Sequence, residues 1–193
     1  MQAETTIVWF RRDLRLADNP ALAQAASAGE RIVAVYVHAP DEEAPWSPGA
    51  ASRWWLHHSL AALDATLRAA GIELTVRRGP ALPSLAGLAG EFGATRIVWN
   101  RLYDPSLVAR DTAVKAGLRK LGLECESYNA CLLHEPWEIR TAQGGPYRVF
   151  TPFWRSCQAQ LDAQPAPLAP PRLLRGPARR PDSVPLDRLE LLP

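Results

Sequence analysis

Apolar runs of strand length recur along most of the chain. Residues 5–10, 31–37 and 96–100 are apolar almost throughout, whereas residues 72–77 and 123–127 alternate apolar with polar positions. A continuous apolar run is typical of an interior strand of a parallel sheet, because both of its faces are buried. Alternation with charged positions is typical of an edge strand. The pattern therefore predicts three interior strands and two edge strands.

Four stretches between these strands have apolar residues at helical spacing. The clearest begins at Leu56, repeats leucine at intervals of four, three and four, and ends before Gly71. Asn19 is the predicted N-cap of the first helix, and Ser52 and Ser106 are the predicted N-caps of the second and fourth. Strands that alternate with helices in this way predict a parallel sheet.

The predicted fold class is α/β, a Rossmann-like doubly wound five-stranded parallel sheet of order 3-2-1-4-5 with helices on both faces. This order places the topological switch point between strands one and four, where ligands of open α/β sheets bind. The predicted crevice has residues 10–13 and 100–104 as walls, with residues 36–38 nearby. The loop after strand one carries neither a GxGxxG nor a P-loop pattern, which argues against a conventional dinucleotide or phosphate grip.

Charge and proline are distributed unevenly over the 193 residues. Residues 1–164 contain 17 basic and 17 acidic residues, so the formal net charge of +2 lies entirely in residues 165–193, with eight of the 18 prolines. A neutral body lacks the basic footprint of a DNA-binding domain. Residues 1–164 are therefore predicted to form one domain, and residues 165–193 a proline- and arginine-rich interdomain linker.

The three cysteines are an odd number and include no CxxC pair, which argues against a disulfide scaffold or a zinc site and is compatible with a reducing cytoplasm. No stretch approaches the roughly 18 apolar residues of a membrane span. The sequence therefore predicts a cytoplasmic protein without a membrane partner.

The turn after strand one concentrates the candidate ligand-binding residues Arg11, Arg12, Asp13 and Arg15. One interpretation is that one or two of the arginines bind an anionic ligand through the guanidinium fork. The other is that Asp13 pairs with a neighbouring arginine and ties the loop to the sheet. The sequence shows no nucleophile–base arrangement and no metal-ligand cluster, so no catalytic or metal-binding residue is assigned.

Six of the seven tryptophans fall into two groups. Trp9 and Trp99 lie within apolar strands and are predicted to be core residues. Four others could be core residues or could cover a surface meant for another domain: Trp54, Trp55, Trp137 and Trp154.

Four spaced segments resemble the DNA photolyase/cryptochrome family, in the order in which that family has them. They read TTIVWFRRDLRLADNPAL, ASRWWLHHSLAALDATLRAAG, WNRLYDPSLVARD and GGPYRVFTPFWRSC, and the resemblance extends over essentially residues 5–158. The resemblance implies an N-terminal α/β domain with a five-stranded parallel sheet.

The resemblance further implies that the family's helical domain, which holds FAD and the damaged pyrimidine dimer, is absent from this chain. The expected parent activity is light-driven repair of cyclobutane pyrimidine dimers, with FAD and damaged DNA bound through the helical domain in cis. We expect the chain to be monomeric and to have no repair activity alone. The alternative is the same domain of a cryptochrome-like photoreceptor with an empty or non-folate antenna site.

In this family the α/β domain carries an antenna chromophore that passes light energy to FAD. Ser106 and Leu107 stand where folate-using members have an Asn-Glu pair, so the resemblance favours a deazaflavin or FMN over a folate. Residue by residue, the implied contacts fall on Arg11, Arg12, Asp13, Tyr36, His38, Arg53, Asn100 and Asp104.

Overall fold

The computed structural model describes residues 4–29, 31–161 and 166–192, which contain a five-stranded sheet of order β3-β2-β1-β4-β5. All neighbouring strands pair in parallel, so the predicted order and fold class are confirmed. At the centre, Ile7 lies between Val33 and Ile97. The strands are β1 (Thr5–Phe10), β2 (Arg31–His38), β3 (Leu74–Arg78), β4 (Arg96–Asn100) and β5 (Glu124–Tyr128).

Helices cover both faces of the sheet, and two short 3₁₀ helices, Pro40–Glu43 and Leu186–Leu189, lie in connecting segments. None of the helices in the described ranges is long and apolar enough to cross a membrane. The α-helices are α1 (Pro20–Ser27), α2 (Ala50–Ala69), α3 (Ala81–Phe92), α4 (Pro105–Lys120) and α5 (Phe150–Gln158).

Two hydrophobic cores lie on opposite faces of the sheet, because successive side chains of a strand point to opposite sides. Val8 and Phe10 belong to the core that contains the buried leucines of α1 and α2. Trp9 belongs to the other core, with Trp99 and the buried leucines of α3 and α4. Trp9 and Trp99 are each 1% exposed, so their prediction as core residues is confirmed.

The helix starts confirm one predicted cap and shift two others. Asn19 Oδ1 accepts a hydrogen bond from the Leu22 backbone N at 3.1 Å, as predicted for an N-cap. Helix α2 begins at Ala50 instead of following Ser52, and α4 has Asp104 as its N-cap instead of Ser106. In α4 the shift follows from Pro105, because the fixed φ of proline favours the first helical position.

Helix α3 receives its cap from a distant loop. The Ala81 backbone N donates a hydrogen bond to Oε1 of Glu42, at 2.9 Å. Glu42 belongs to the 3₁₀ helix after β2, so this bond ties the loop of residues 39–49 to α3.

Helix α5 is an element that the apolar pattern did not predict. It has nine residues and includes Pro152 in its first turn, where proline is tolerated. Phe150 and Trp154 stack on each other with ring centroids 6.3 Å apart, and both are substantially exposed. The second interpretation of Trp154, that it covers a surface for another domain, stays a prediction.

Residues 166–192, the tail segment, pack against the sheet and its helices. Leu174, Leu189 and Leu191 are buried in the core that contains α1 and α2. At the β3 edge, the Val76 backbone N donates to Ser183 Oγ at 2.9 Å, and the Val184 backbone N donates to the Val76 carbonyl at 2.9 Å. The predicted domain boundary at residues 164–165 lies outside the described residues. The linker role of the tail segment stays a prediction.

Candidate functional site

A cavity of about 640 Å³, here called the crevice, opens at the carboxyl ends of β1 and β2. Its walls come from the turn after β1, the loop of residues 39–49, and helices α2 and α4. Its volume falls within the roughly 300–1,000 Å³ of sites that enclose a drug-sized ligand. Arg11, Arg12 and Leu102 line it from the two predicted walls. Tyr36 and Val37 line it from β2, so the crevice extends toward β2 from the predicted switch point between β1 and β4.

The floor of the crevice is a partly buried ion network. The guanidinium of Arg11 is bonded to Asp111, with Nη1 and Oδ2 2.7 Å apart, and Arg110 bonds the other carboxylate oxygen at 2.8 Å. Arg11 also donates to the Asn100 carbonyl. Burial lowers the pKa of Arg11, and Asp111 opposes that effect. Asp111 therefore holds two arginines in place at the base of the cavity.

The Trp9 indole lies beneath these arginines. The guanidinium carbons of Arg11 and Arg110 are 4.6 Å and 5.1 Å from the Trp9 ring centroid, within the range of a cation–π contact. Nε of Arg11 is buried and has no hydrogen-bond partner within the described part of the chain. Nε1 of Trp9 is likewise buried without a partner among the described residues, so the floor combines an aromatic base with two unsatisfied donors.

Asp13 and Asn100 hold the turn after β1 in shape. Oδ1 of Asp13 accepts the Arg11 backbone N at 2.8 Å, and Oδ2 accepts Nδ2 of Asn100 at 2.5 Å. Asn100 also donates to Asn19 Oδ1 at 2.8 Å and accepts the Ala21 backbone N at 3.1 Å. These bonds join β1, β4 and α1, so Asp13 does tie the loop to the sheet. It does so through the Arg11 backbone and Asn100, whereas the interpretation invoked pairing with an arginine.

Tyr36 and His38 lie at the carboxyl end of β2, and their side chains have different surroundings. Tyr36 is 7% exposed and lines the crevice, and burial, followed by the negative charge of Glu43, raises the pKa of its phenol. The phenol therefore stays protonated at neutral pH and can donate a hydrogen bond. The His38 ring stacks on Tyr36 with centroids 6.4 Å apart, but it is not among the described residues that line the crevice.

Arg12 bridges two walls of the site. Its Nη1 lies 3.0 Å from Oδ2 of Asp104, and its Nη2 lies 3.3 Å from Oε2 of Glu43. A second cavity of about 220 Å³, here called the side cavity, opens at the start of α4. Arg12, Glu43, Trp46 and Leu107 line both cavities.

Two tryptophans at the mouth were not among the predicted site residues. Trp46 and Trp55 line the crevice while remaining 82% and 70% exposed. From α2, Ser52, Leu56 and Ser59 line the wall together with Trp55. The spacing 52, 55, 56, 59 places these four residues on one helical face, and this signal could have identified them.

Arg110 was not predicted as a site residue, and Arg53 was predicted as a chromophore contact. Arg110 lines the crevice from α4, whereas Arg53 is not among the described lining residues. Among those lining residues, four are arginines and one, Glu43, is acidic. These arginines are paired with Asp111, Glu43, Asp104 and Asp18, so the wall is rich in charged side chains of both signs.

The family comparison agrees with the geometry of the fold. The sequence profile of the family described as DNA photolyase matches residues 6–172. A deoxyribodipyrimidine photo-lyase from Agrobacterium fabrum is 45% identical over 193 residues, covering 100% of this chain and 40% of that protein. Cryptochrome-1 of Arabidopsis thaliana is 45% identical over 168 residues, covering 86% of this chain and 24% of that protein.

Structure comparison gives the same relationship. The crystal structure of a bacterial class III photolyase from Agrobacterium tumefaciens matches with a TM-score of 0.92 and 45% identity. The match covers 100% of this chain and 39% of that one. The chain thus spans about two fifths of the length of these photolyases.

Proposed function

Because the chain belongs to the DNA photolyase family, we propose that it forms the light-harvesting α/β domain of a photolyase that repairs pyrimidine dimers in DNA. In this proposal, FAD and the damaged DNA are bound by a helical domain of the same polypeptide. Residues 1–193 alone are then expected to give no repair of dimer-containing DNA under blue light. Measurable repair by these residues alone would contradict this division of labour.

The crevice is the observation that carries the antenna role. It combines a volume suited to a multi-ring ligand with an arginine-rich wall and a mouth formed by two exposed indoles. The unsatisfied Nε of Arg11 offers a buried donor at its base. These features fit a flat, anionic chromophore of the deazaflavin or FMN type.

Such a chromophore would absorb light and pass the energy to FAD. The residues of the chain would bind and orient it: Trp55 by stacking against its rings, Tyr36 by donating a hydrogen bond, and Arg110 by attracting its negative charge. Desolvation strengthens these polar contacts, because charges interact more strongly away from water.

Titration of the purified chain with FMN, a deazaflavin or a reduced folate tests the assignment, with absorption and chromophore fluorescence as the readout. We expect FMN or the deazaflavin to bind in the micromolar range, and more tightly than the folate. Trp55→Ala should weaken binding by roughly fivefold to a hundredfold, the range for losing one aromatic stacking partner.

Trp54→Ala is the matched control. Trp54 precedes Trp55 on α2, is 48% exposed and stacks on His58, but is not among the described lining residues. This variant should bind like the wild type. Equal effects of the two substitutions, or tighter binding of the folate, would contradict the proposed site or the proposed chromophore.

A cryptochrome-like photoreceptor domain is the second candidate. It is supported by the 45% identity to Arabidopsis cryptochrome-1, which equals the identity to the Agrobacterium photolyase. Failure of all three chromophores to bind would favour this alternative in its form with an empty antenna site.

A further inference from the structure

We propose that Arg12 is a partition that limits the length of the ligand accepted by the crevice. This inference rests on the proposed function, because it concerns the chromophore that would occupy the same cavity. It goes beyond that function by assigning one residue the choice between a mononucleotide-sized and a dinucleotide-sized ligand.

The two cavities have unequal sizes and a shared wall. The crevice measures about 640 Å³ and the side cavity about 220 Å³. The side cavity alone lies below the roughly 300 Å³ at which ligand pockets begin. It is therefore better described as a possible extension of the crevice than as a separate ligand site.

Arg12 spans the boundary between them. One of its terminal nitrogens is bonded to Glu43 on the loop after β2, and the other to Asp104 at the start of α4. The guanidinium thus joins two walls where the cavities meet. A ligand that extends from the crevice into the side cavity must displace it from one or both carboxylates.

The ion pairs of Arg12 are weak enough for a ligand to displace its side chain. The Arg12 and Asp104 side chains are each 53% exposed, and exposed ion pairs contribute little because water competes for both partners. Displacement should therefore lower the affinity for a long ligand without abolishing it. A short ligand leaves Arg12 in place, so its affinity should not be lowered in this way.

FMN and FAD are suitable probes, because they carry the same ring system and FAD adds an adenylate. Their dissociation constants for the purified chain can be measured by equilibrium dialysis, and the ratio of FMN to FAD affinity is the quantity of interest. Wild type should favour FMN. In R12A the ratio should shift toward FAD by about threefold to tenfold, as expected for removal of two exposed ion pairs.

E43Q and D104N separate the partition from simple charge attraction. Each removes one anchor of Arg12 but retains its positive charge, so each should shift the ratio toward FAD by less than R12A does. FMN and FAD carry similar phosphate charge, so if Arg12 served only to attract phosphate, R12A would weaken both flavins alike, and E43Q and D104N would leave the ratio unchanged. That result would overturn the partition.

Arg68→Ala is the matched control. Arg68 also bridges two carboxylates, Asp64 at 2.9 Å and Glu73 at 2.8 Å, and its side chain is 48% exposed. It is not among the described residues that line either cavity. This variant should leave the ratio unchanged.

The remaining outcomes distinguish the two proposals. Binding of FMN with a ratio that is the same in wild type, R12A, E43Q and D104N would overturn the partition and leave the antenna assignment standing. If neither flavin bound the wild type or R12A, the flavin assignment of the crevice would fail, and the partition with it. Circular dichroism of each variant shows whether it has folded, and E43Q and D104N keep the test decisive should R12A not fold.

Discussion

The β3 edge and the crevice lie at the same sheet, but the edge is covered by the chain and the crevice is left open. At the edge, the tail segment supplies buried leucines and backbone hydrogen bonds, so the chain covers its own strand. At the crevice, two tryptophans and several arginines surround a cavity instead of filling it. Apolar residues that pack on the sheet stabilise the fold, whereas aromatic and charged residues left around a cavity are available to a ligand. Stability and binding should therefore respond to different substitutions.

The largest expected effect is at the crevice floor, where a residue beside the cavity should contribute strongly to stability. The Asp111 side chain is 13% exposed and is bonded to the buried Arg11 and to Arg110, so Asp111→Asn leaves the Arg11 guanidinium in the interior without its counterion. We expect the free energy of unfolding to fall by about 3–5 kcal/mol, the usual cost of breaking a buried ion pair. Urea denaturation followed by circular dichroism measures it.

Asp104→Asn provides the comparison for that experiment. Its ion pair with Arg12 is exposed, so the loss should be below about 1 kcal/mol. Equal losses in the two variants would show that the floor is no more important for stability than the rim.

The β3 edge should depend on its buried leucines. Leu174 is 4% exposed and Leu173 is 75% exposed, although the two are adjacent. Leu174→Ala should lower the free energy of unfolding by about 2–5 kcal/mol, because it leaves a cavity in the core. Leu173→Ala should change it by less than about 0.5 kcal/mol. Similar denaturation midpoints for both variants would mean that the tail segment does not contribute to the core.

Gly71 tests how closely the tail segment approaches α2. Gly71 has φ of +100°, and a Cβ there would lie 3.0 Å from the Leu174 carbonyl oxygen. Gly29 has φ of +70° but open space around its Cβ position. Both alanine variants carry the cost of a positive φ, and Gly71→Ala should cost roughly 1–3 kcal/mol more because of overpacking. Thermal unfolding of the two variants measures the difference, and equal melting temperatures would argue against the close approach.

His38 lies between the two regions and should give the smallest effect. Burial, followed by the positive charge of Arg78, lowers its pKa below the ordinary value of 6.5. The unfolded chain therefore takes up a proton near pH 6.5 that the folded chain does not, so stability falls as the pH drops below that value. His38→Asn should reduce this loss between pH 6.5 and about pH 5. Identical pH profiles of urea denaturation for variant and wild type would contradict the assignment.

Much of the architecture follows from local pattern. Continuous apolar runs identified the three interior strands, and alternation identified the two edge strands, because burial on one face or both leaves a direct trace in the sequence. Helix ends were less predictable. Ser52 and Ser106 have suitable side chains for capping, but the N-caps of these helices are Gly49 and Asp104, three and two residues earlier.

The site residues were only partly predictable, because position along the chain does not show what a side chain contacts. Position at strand ends identified Arg11, Arg12 and Tyr36 as crevice residues, since parallel strands bring their carboxyl ends to one edge. It could not distinguish Asp13 and Asn100 from these crevice residues. The side chains of Asp13 and Asn100 form hydrogen bonds that hold the turn after β1 in shape. Whether any of these residues binds a chromophore stays a proposal.

The sequence by itself determined the sheet order, the location of the crevice and the family, because each depends on patterns within short segments. Only the tertiary structure decided that Asp111 holds Arg11 and Arg110, that Arg12 joins Glu43 to Asp104, and that the tail segment covers β3. Arg110 and Asp111 are adjacent in sequence, and the other contacts join residues between about 30 and 110 positions apart. Nothing in local spacing encodes them, since they depend on how the packed helices and loops bring distant side chains together.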